Sequence, residues 1–157
     1  MNIAIIYATN SGGTQQAAKQ IADQLQASKH RVTIKRANEA EPGDLRDKDL
    51  VILGSCTWLG SVGEKVEQGQ LQEHMKAFLD QAAKHRYPGQ RFAVFGLGDS
   101  SYTHFCAAAD HLEQFVQRVG GRQVGPTLRF DGFFFDLPAN RERLHDWTTE
   151  LLRVSQS

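Results

Sequence analysis

The chain has 157 residues, enough for one domain with a sizeable core and short for two. Hydrophobic residues make up 40% and charged residues 23%, ordinary globular usage without low-complexity tracts or repeats. Eighteen basic side chains balance eighteen acidic ones, so no global field draws in nucleic acid or an anionic membrane.

The first apolar run, Ile3 to Ala8, is continuous, as expected of a strand buried on both faces of a parallel sheet. It follows no basic region and is too short for a signal peptide or membrane span, so the expected address is cytoplasmic. Ala17, Ala18, Ile21, Ala22 and Leu25 recur at helical spacing and predict an amphipathic helix. Arg31 to Lys35 alternates around Val32 and Ile34 like a half-buried edge strand, and a polar stretch with Pro42-Gly43 closes a second βα passage. Leu50 to Gly54 is another buried strand, followed by a long loop from Ser55 to Gln70 and a helical stripe of Leu71, Met75, Phe78, Leu79 and Ala82. Loops of that length are uncommon unless they are functional. Phe92 to Gly96 is the next strand, and Ala108, Leu112, Phe115, Val116 and Val119 mark a helix capped by Gly120-Gly121. Val124 to Phe130 is a weak last strand, and Leu144, Trp147 and Leu151 mark a closing helix started by Pro138.

Strand and helix thus alternate about five times, which predicts a doubly wound α/β fold with a parallel sheet covered on both faces. Ligands of such sheets sit beyond the carboxyl ends of the strands, where strand order reverses. The loops after strands one, three and four are therefore the informative ones. Cys56 and Cys106 lack metal-site spacing, and the six histidines are scattered, so no metal is expected.

The first loop, Thr9-Asn10-Ser11-Gly12-Gly13-Thr14, leads from a buried strand into a helix and is rich in hydroxyls and glycines. Free N–H groups and the partial positive charge of a helix start suit a phosphate there; the alternative is an ordinary βα turn capped by a hydroxyl. Neither the Walker pattern nor Gly-x-Gly-x-x-Gly is present, which disfavours a nucleoside triphosphate. The second loop, Ser55-Cys56-Thr57-Trp58-Leu59-Gly60-Ser61-Val62-Gly63-Glu64, sets a tryptophan just beyond a buried strand, where it either stacks on a planar ligand or packs on its own loop. The third, Gly96-Leu97-Gly98-Asp99-Ser100-Ser101-Tyr102-Thr103-His104-Phe105-Cys106, brings a second aromatic to the neighbouring strand end. Two aromatics and a phosphate loop together point to a mononucleotide with a large ring.

These motifs resemble the flavodoxin family. Residues 9–14 look like its phosphate loop, Thr57-Trp58 like its first aromatic loop, and Gly98-Asp99-Ser100-Ser101-Tyr102 through Phe105-Cys106 like its second. The resemblance extends over Leu128-Arg129-Phe130-Asp131-Gly132 and the Trp147 helix, and it is of the short-chain type. It implies a flavodoxin-like five-stranded sheet in the order 2-1-3-4-5, with residues 1–157 forming one domain that binds flavin mononucleotide (FMN); flavodoxin is itself a standard example of this fold with FMN at its switch point. By the same resemblance Thr9 to Thr14 bind the phosphate, and Ser55 to Gly60 with Gly98, Asp99, Tyr102, His104, Phe105 and Cys106 surround the ring. Trp58 and Tyr102 flank it, while main-chain groups near Asp99, His104 and Cys106 meet its pyrimidine edge. Asp99 has an equal alternative role in fixing its own loop, and His104 is either near the ring or a solvated loop histidine.

The implied function is low-potential, one-electron transfer by a monomeric carrier between a flavodoxin reductase-type donor and an acceptor enzyme, without nucleic acid or membrane partners. Such a carrier must make the flavin semiquinone persist, and each tenfold difference in affinity between redox states moves a one-electron potential by about 59 mV. A β-turn over Trp58 to Ser61 would put Gly60 where a type II turn wants positive φ, favouring a Leu59–Gly60 carbonyl turned toward the flavin. Net neutrality, against the usual acidity of flavodoxins, predicts a less negative second couple. The competing readings are an FMN-dependent quinone or NAD(P)H oxidoreductase, which needs an open ring face, and a flavin-free regulatory module. A phosphorelay receiver is excluded by Ala8-Thr9 and Gly54-Ser55, where it needs aspartates.

Overall fold

The structure, a computed structural model, describes residues 1–9, 13–62, 65–71, 73–98, 107–131 and 137–155, with the backbone alone at 57–62, 65–71, 98, 107 and 131. Its elements run β1 (Asn2–Ala8), α1 (Gly13–Ala27), β2 (Arg31–Arg36), β3 (Leu50–Val62), β4 (Lys65–Leu71), α2 (Glu73–Ala82), β5 (Arg91–Gly98), α3 (Ala107–Arg118), β6 (Arg122–Gln123), β7 (Leu128–Asp131) and α4 (Leu137–Ser155). The main sheet is parallel with the path β2-β1-β3-β5-β6, and β7 also pairs with β5. Counting β6 and β7 as one broken strand and setting β4 aside, this is the expected order 2-1-3-4-5.

The continuous apolar runs reflect burial on both sides. Along β1, Ile3, Ile5 and Tyr7 pack into the core beneath α1 and α4, while Ala4, Ile6 and Ala8 pack beneath α2 and α3. Below α4, Phe95 meets Trp147 edge to face at 6.1 Å, and the Trp147 indole donates to the Pro126 carbonyl at 2.7 Å. Gly54 is the small residue that this packing requires. A Cβ built there would lie 2.0 Å from Phe95 Cζ, inside the ring of the neighbouring strand.

Helix ends follow their sequence signals. Gly120 has φ +78°, with Gly121 N–H donating to Val116 O at 2.9 Å and Gly120 N–H to Gln117 O at 3.1 Å, the paired bonds of a Schellman cap. The end of α1 repeats the pattern, His30 N–H to Leu25 O and Lys29 N–H to Gln26 O, but with a lysine at φ +68° in the left-handed position.

Four features depart from the sequence reading. Ser55 to Gln70 is not a loop: β3 runs on to Val62 and pairs antiparallel with β4, Thr57 opposite Leu71 and Val62 opposite Lys65. Only two residues separate these strands, a hairpin spacing, but the segment is too polar to read as a strand. The β2–β3 connection holds no α-helix; it makes 3-10 turns at Ala37–Glu39 and Pro42–Leu45, anchored by buried Ala37 and Leu45, so four α-helices are present among the described residues. Pro42 and Gly43 deny that stretch a helical stripe. The last strand is split because Gly125 takes φ +68° and Pro126 has no N–H to donate to a ladder. On β2, Val32 is half-buried but Ile34 is exposed, and Arg31 and Arg36 occupy the remaining edge as charges that deter further strand pairing.

Candidate functional site

Register brings the three loops together. Ala8 pairs with Ser55, Ser55 with Gly96, and Gly96 with Arg129, so one row crosses β1, β3, β5 and β7. Thr9, Cys56 and Leu97 each lie one residue beyond that row. At a strand spacing of roughly 4.8 Å, the exits of β1 and β5 are about 10 Å apart.

On the β1 side the chain enters α1 at Gly13 and Thr14, both buried, in a first turn without acidic residues. The Thr14 side chain is fully buried, and its Oγ1 has no hydrogen-bond partner among the described residues. A buried hydroxyl left unpaired costs about 1–3 kcal/mol, so its placement at a helix start, whose first N–H groups have no partner within the helix, fits an anion that accepts from both. Phosphate satisfies that condition. Asn10, Ser11 and Gly12 lie outside the described residues.

On the β3 side Ser55 is buried and its hydroxyl donates to the Cys56 carbonyl at 3.0 Å, while Cys56 is half-buried. Beyond them Thr57, Trp58, Leu59 and Gly60 form the root of the β3–β4 hairpin. The expected β-turn at Trp58 to Ser61 is absent, because this stretch is extended and cross-paired. Leu59 instead sits at the register irregularity between the Trp58–Gln70 and Gly60–Glu67 pairs. The Leu59–Gly60 turn preference therefore has no structural basis.

On the β5 side the strand reaches Gly98, opposite Asp131 of β7, and α3 begins at Ala107. Asp99, Tyr102, His104, Phe105 and Cys106 lie outside the described residues. Both flanks of that segment are tied to β7. Arg129, whose backbone pairs with Gly96, donates through Nη2 to Asp110 Oδ1 at 2.7 Å and to Glu113 Oε1 at 2.6 Å, both on α3. Burial opposes the Arg129 charge, but the two carboxylates more than reverse this and hold its pKa above the ordinary value. Arg143 of α4 donates to the Arg129 carbonyl at 3.0 Å and covers the Phe130 ring at 5.1 Å.

Sequence reasoning missed Arg36, Asn38, Glu73 and His74. With Tyr7, Ala8 and Thr9 they line a cleft of about 250 Å³ beside the start of the first loop, where the Arg36 guanidinium donates to the Tyr7 hydroxyl at 3.3 Å. Spacing alone gave no signal for them, since β2 and α2 reach this edge only through the fold. A larger depression, about 700 Å³, lies at the opposite end of the strands between Arg46–Asp49 and Tyr87–Arg91. Size therefore does not locate the site; the convergence of loop exits does. Among the described residues no three His, Cys, Asp or Glu side chains converge as a metal cage would.

The flavodoxin family model matches residues 5–133. The flavodoxin of Maridesulfovibrio salexigens is 32% identical over 129 residues, covering 82% of this chain and 84% of that one. Among solved structures, oxidised flavodoxin 2 of Bacillus cereus superposes with a TM-score of 0.84 at 27% identity, covering 98% and 99% of the two chains. A Fusobacterium nucleatum flavodoxin bound to flavin mononucleotide shares the fold with a TM-score of 0.79 at 18% identity, over 98% of both chains.

Proposed function

We propose that this chain, which belongs to the flavodoxin family of electron-transfer flavoproteins, holds one FMN at the carboxyl end of its sheet and works as a single-domain carrier over residues 1–157. The observation that carries the reading is the buried Thr14 hydroxyl, unpaired among the described residues, at the start of α1, the helix that follows β1.

In this reading Thr9, Asn10, Ser11, Gly12, Gly13 and Thr14 take the phosphate, the backbone N–H groups supplying most of the donors. Trp58 and Tyr102 exclude water from the two faces of the ring. Ser55, Cys56, Thr57, Leu59, Gly60, Gly98, Asp99, His104, Phe105 and Cys106 shape its edge through main-chain groups. FMN, when bound, supplies one-electron oxidation and reduction. What the protein contributes is orientation and exclusion of water, together with unequal affinity for the redox states, which sets the potentials.

Covering both ring faces with aromatics leaves no room for a hydride donor and an organic acceptor, so the chain passes electrons between proteins rather than turning over a substrate. The proposed partners are a flavodoxin reductase-type donor and an acceptor enzyme, met by a cytoplasmic monomer. No helix among the described residues is long and apolar enough to cross a membrane. Titration of the flavin-free protein with FMN tests the reading: one FMN per chain is expected, and failure to bind it contradicts the assignment.

A further inference from the structure

Zero net charge conceals a strong segregation. The connections at the amino ends of the strands, residues 28–31, 46–49, 84–91 and 118–122, hold nine of the eighteen Lys and Arg but only two of the eighteen Asp and Glu. The rest of the chain, including all three site loops, carries sixteen acidic residues against nine basic ones.

These connections form one continuous surface. Arg31 N–H donates to Met1 O at 3.0 Å, and Met1 shares the 700 Å³ depression with Arg46, Lys48, Tyr87 and Arg91. Gly89 N–H donates to Gly120 O and Arg122 N–H to Gln90 O, which joins the end of α3 to the same face. None of the nine cations forms an ion pair among the described residues; Arg46 lies over the Tyr87 ring and Arg91 donates to the Ser155 carbonyl.

The simplest account is that cations follow helix ends to offset their negative dipoles. That covers Lys29, Lys84, Arg86 and Arg118, which stand at the ends of α1, α2 and α3. It does not cover Arg31, Arg91 and Arg122, which open β2, β5 and β6, where the sheet has little net dipole, nor Lys48 in the connection before β3; Arg46 closes only the four-residue 3-10 turn Pro42–Leu45. Seven of the nine are exposed and pay self-repulsion without a partner in the fold.

We propose that this amino-terminal face is a second interaction surface, one that takes an acidic protein partner while the opposite end holds the cofactor. A protein fits better than the alternatives. Asp47 and Asp49 interleave with Arg46 and Lys48, so a phosphodiester backbone crossing the depression would meet two carboxylates. A membrane would need apolar anchors, yet the single exposed large hydrophobic among the described residues is Ile34, away on the β2 edge. Mixed charges around a concave surface produce fast, salt-sensitive docking rather than tight binding.

Fluorescence anisotropy with labelled polyglutamate of about 50 residues tests this on the FMN-loaded protein, in about 20 and about 200 mM NaCl. Binding should weaken about tenfold at the higher salt, and by a similar factor or more in the triple variant Lys48→Glu, Lys84→Glu, Arg122→Glu. A control with the same net charge, Lys19→Glu, Lys76→Glu, Arg141→Glu, should lose less than about threefold. The flavin absorbance should not change on binding, because the two ends are separate. Equal losses in both variants overturn the proposal, as does tighter binding to a DNA duplex or to phosphatidylserine vesicles than to polyglutamate. Self-association at low salt, seen by sedimentation and abolished by the first variant alone, would assign the face to a second copy and equally overturn it.

Discussion

Replacing Thr14 by valine should strengthen the flavin-free protein and weaken its hold on FMN, two changes of opposite sign from one atom. The side chain is fully buried and its hydroxyl unpaired among the described residues, so an isosteric methyl removes a desolvation penalty of about 1–3 kcal/mol without opening a cavity. Valine and threonine have nearly equal helix propensities, so α1 itself is unaffected. The same substitution deletes a donor to a charged phosphate, a bond of about 1.5–3 kcal/mol, equivalent to roughly 10- to 150-fold in the dissociation constant. Urea unfolding of the flavin-free protein reads the first change and quenching of FMN fluorescence reads the second. A variant less stable than wild type that binds FMN normally would refute the assignment of Thr14 to the phosphate.

Gly54→Ala should destabilise the protein by at least about 1–3 kcal/mol, because its Cβ overlaps the Phe95 ring; a change within about 0.5 kcal/mol in urea unfolding would show that the ring moves freely. Lys29→Gly relieves a left-handed backbone at φ +68° and should add about 1 kcal/mol, with loss of stability as the contrary outcome. Burial first, and then the adjacent Met1 ammonium that donates to its Nδ1 at 2.9 Å, lower the His30 pKa below 6.5. The folded state therefore binds this proton less readily than the unfolded chain, so stability is full above about pH 6.5 and falls as the pH drops through the folded value. Urea midpoints of His30→Gln should show a weaker decline between about pH 7 and pH 5 than wild type; an unchanged decline assigns it to other groups.

Continuous apolar runs were legible as buried strands because a sheet covered on both faces needs apolar side chains in both directions, and β1, β3 and β5 stand where those runs predict. Helices were legible wherever a stripe and a cap coincided, as at Val119 and Gly120. The β3–β4 hairpin was not, since its residues alternate only weakly in the sequence and its extended form shows only in the cross-strand pairing. The β2–β3 connection failed for the opposite reason: Ala37 and Leu45 are single anchors without a period. For the site, chemistry was readable in the hydroxyls and aromatics, but not the row Ala8–Ser55–Gly96 that aligns the loops, which is a property of register. Net charge is the least local of these signals. Neutrality gave the expectation of a less negative second couple, but it sums a basic end remote from the loops with an acidic remainder that contains them, so that expectation loses its premise.

An anaerobic reductive titration of the FMN-loaded protein, followed by absorbance, tests the carrier role most directly. Two resolved one-electron steps on one FMN per chain, with no steady oxidation of NADH by the protein alone, are the expected result. A single unresolved two-electron step, or turnover of NADH without a partner protein, would contradict it.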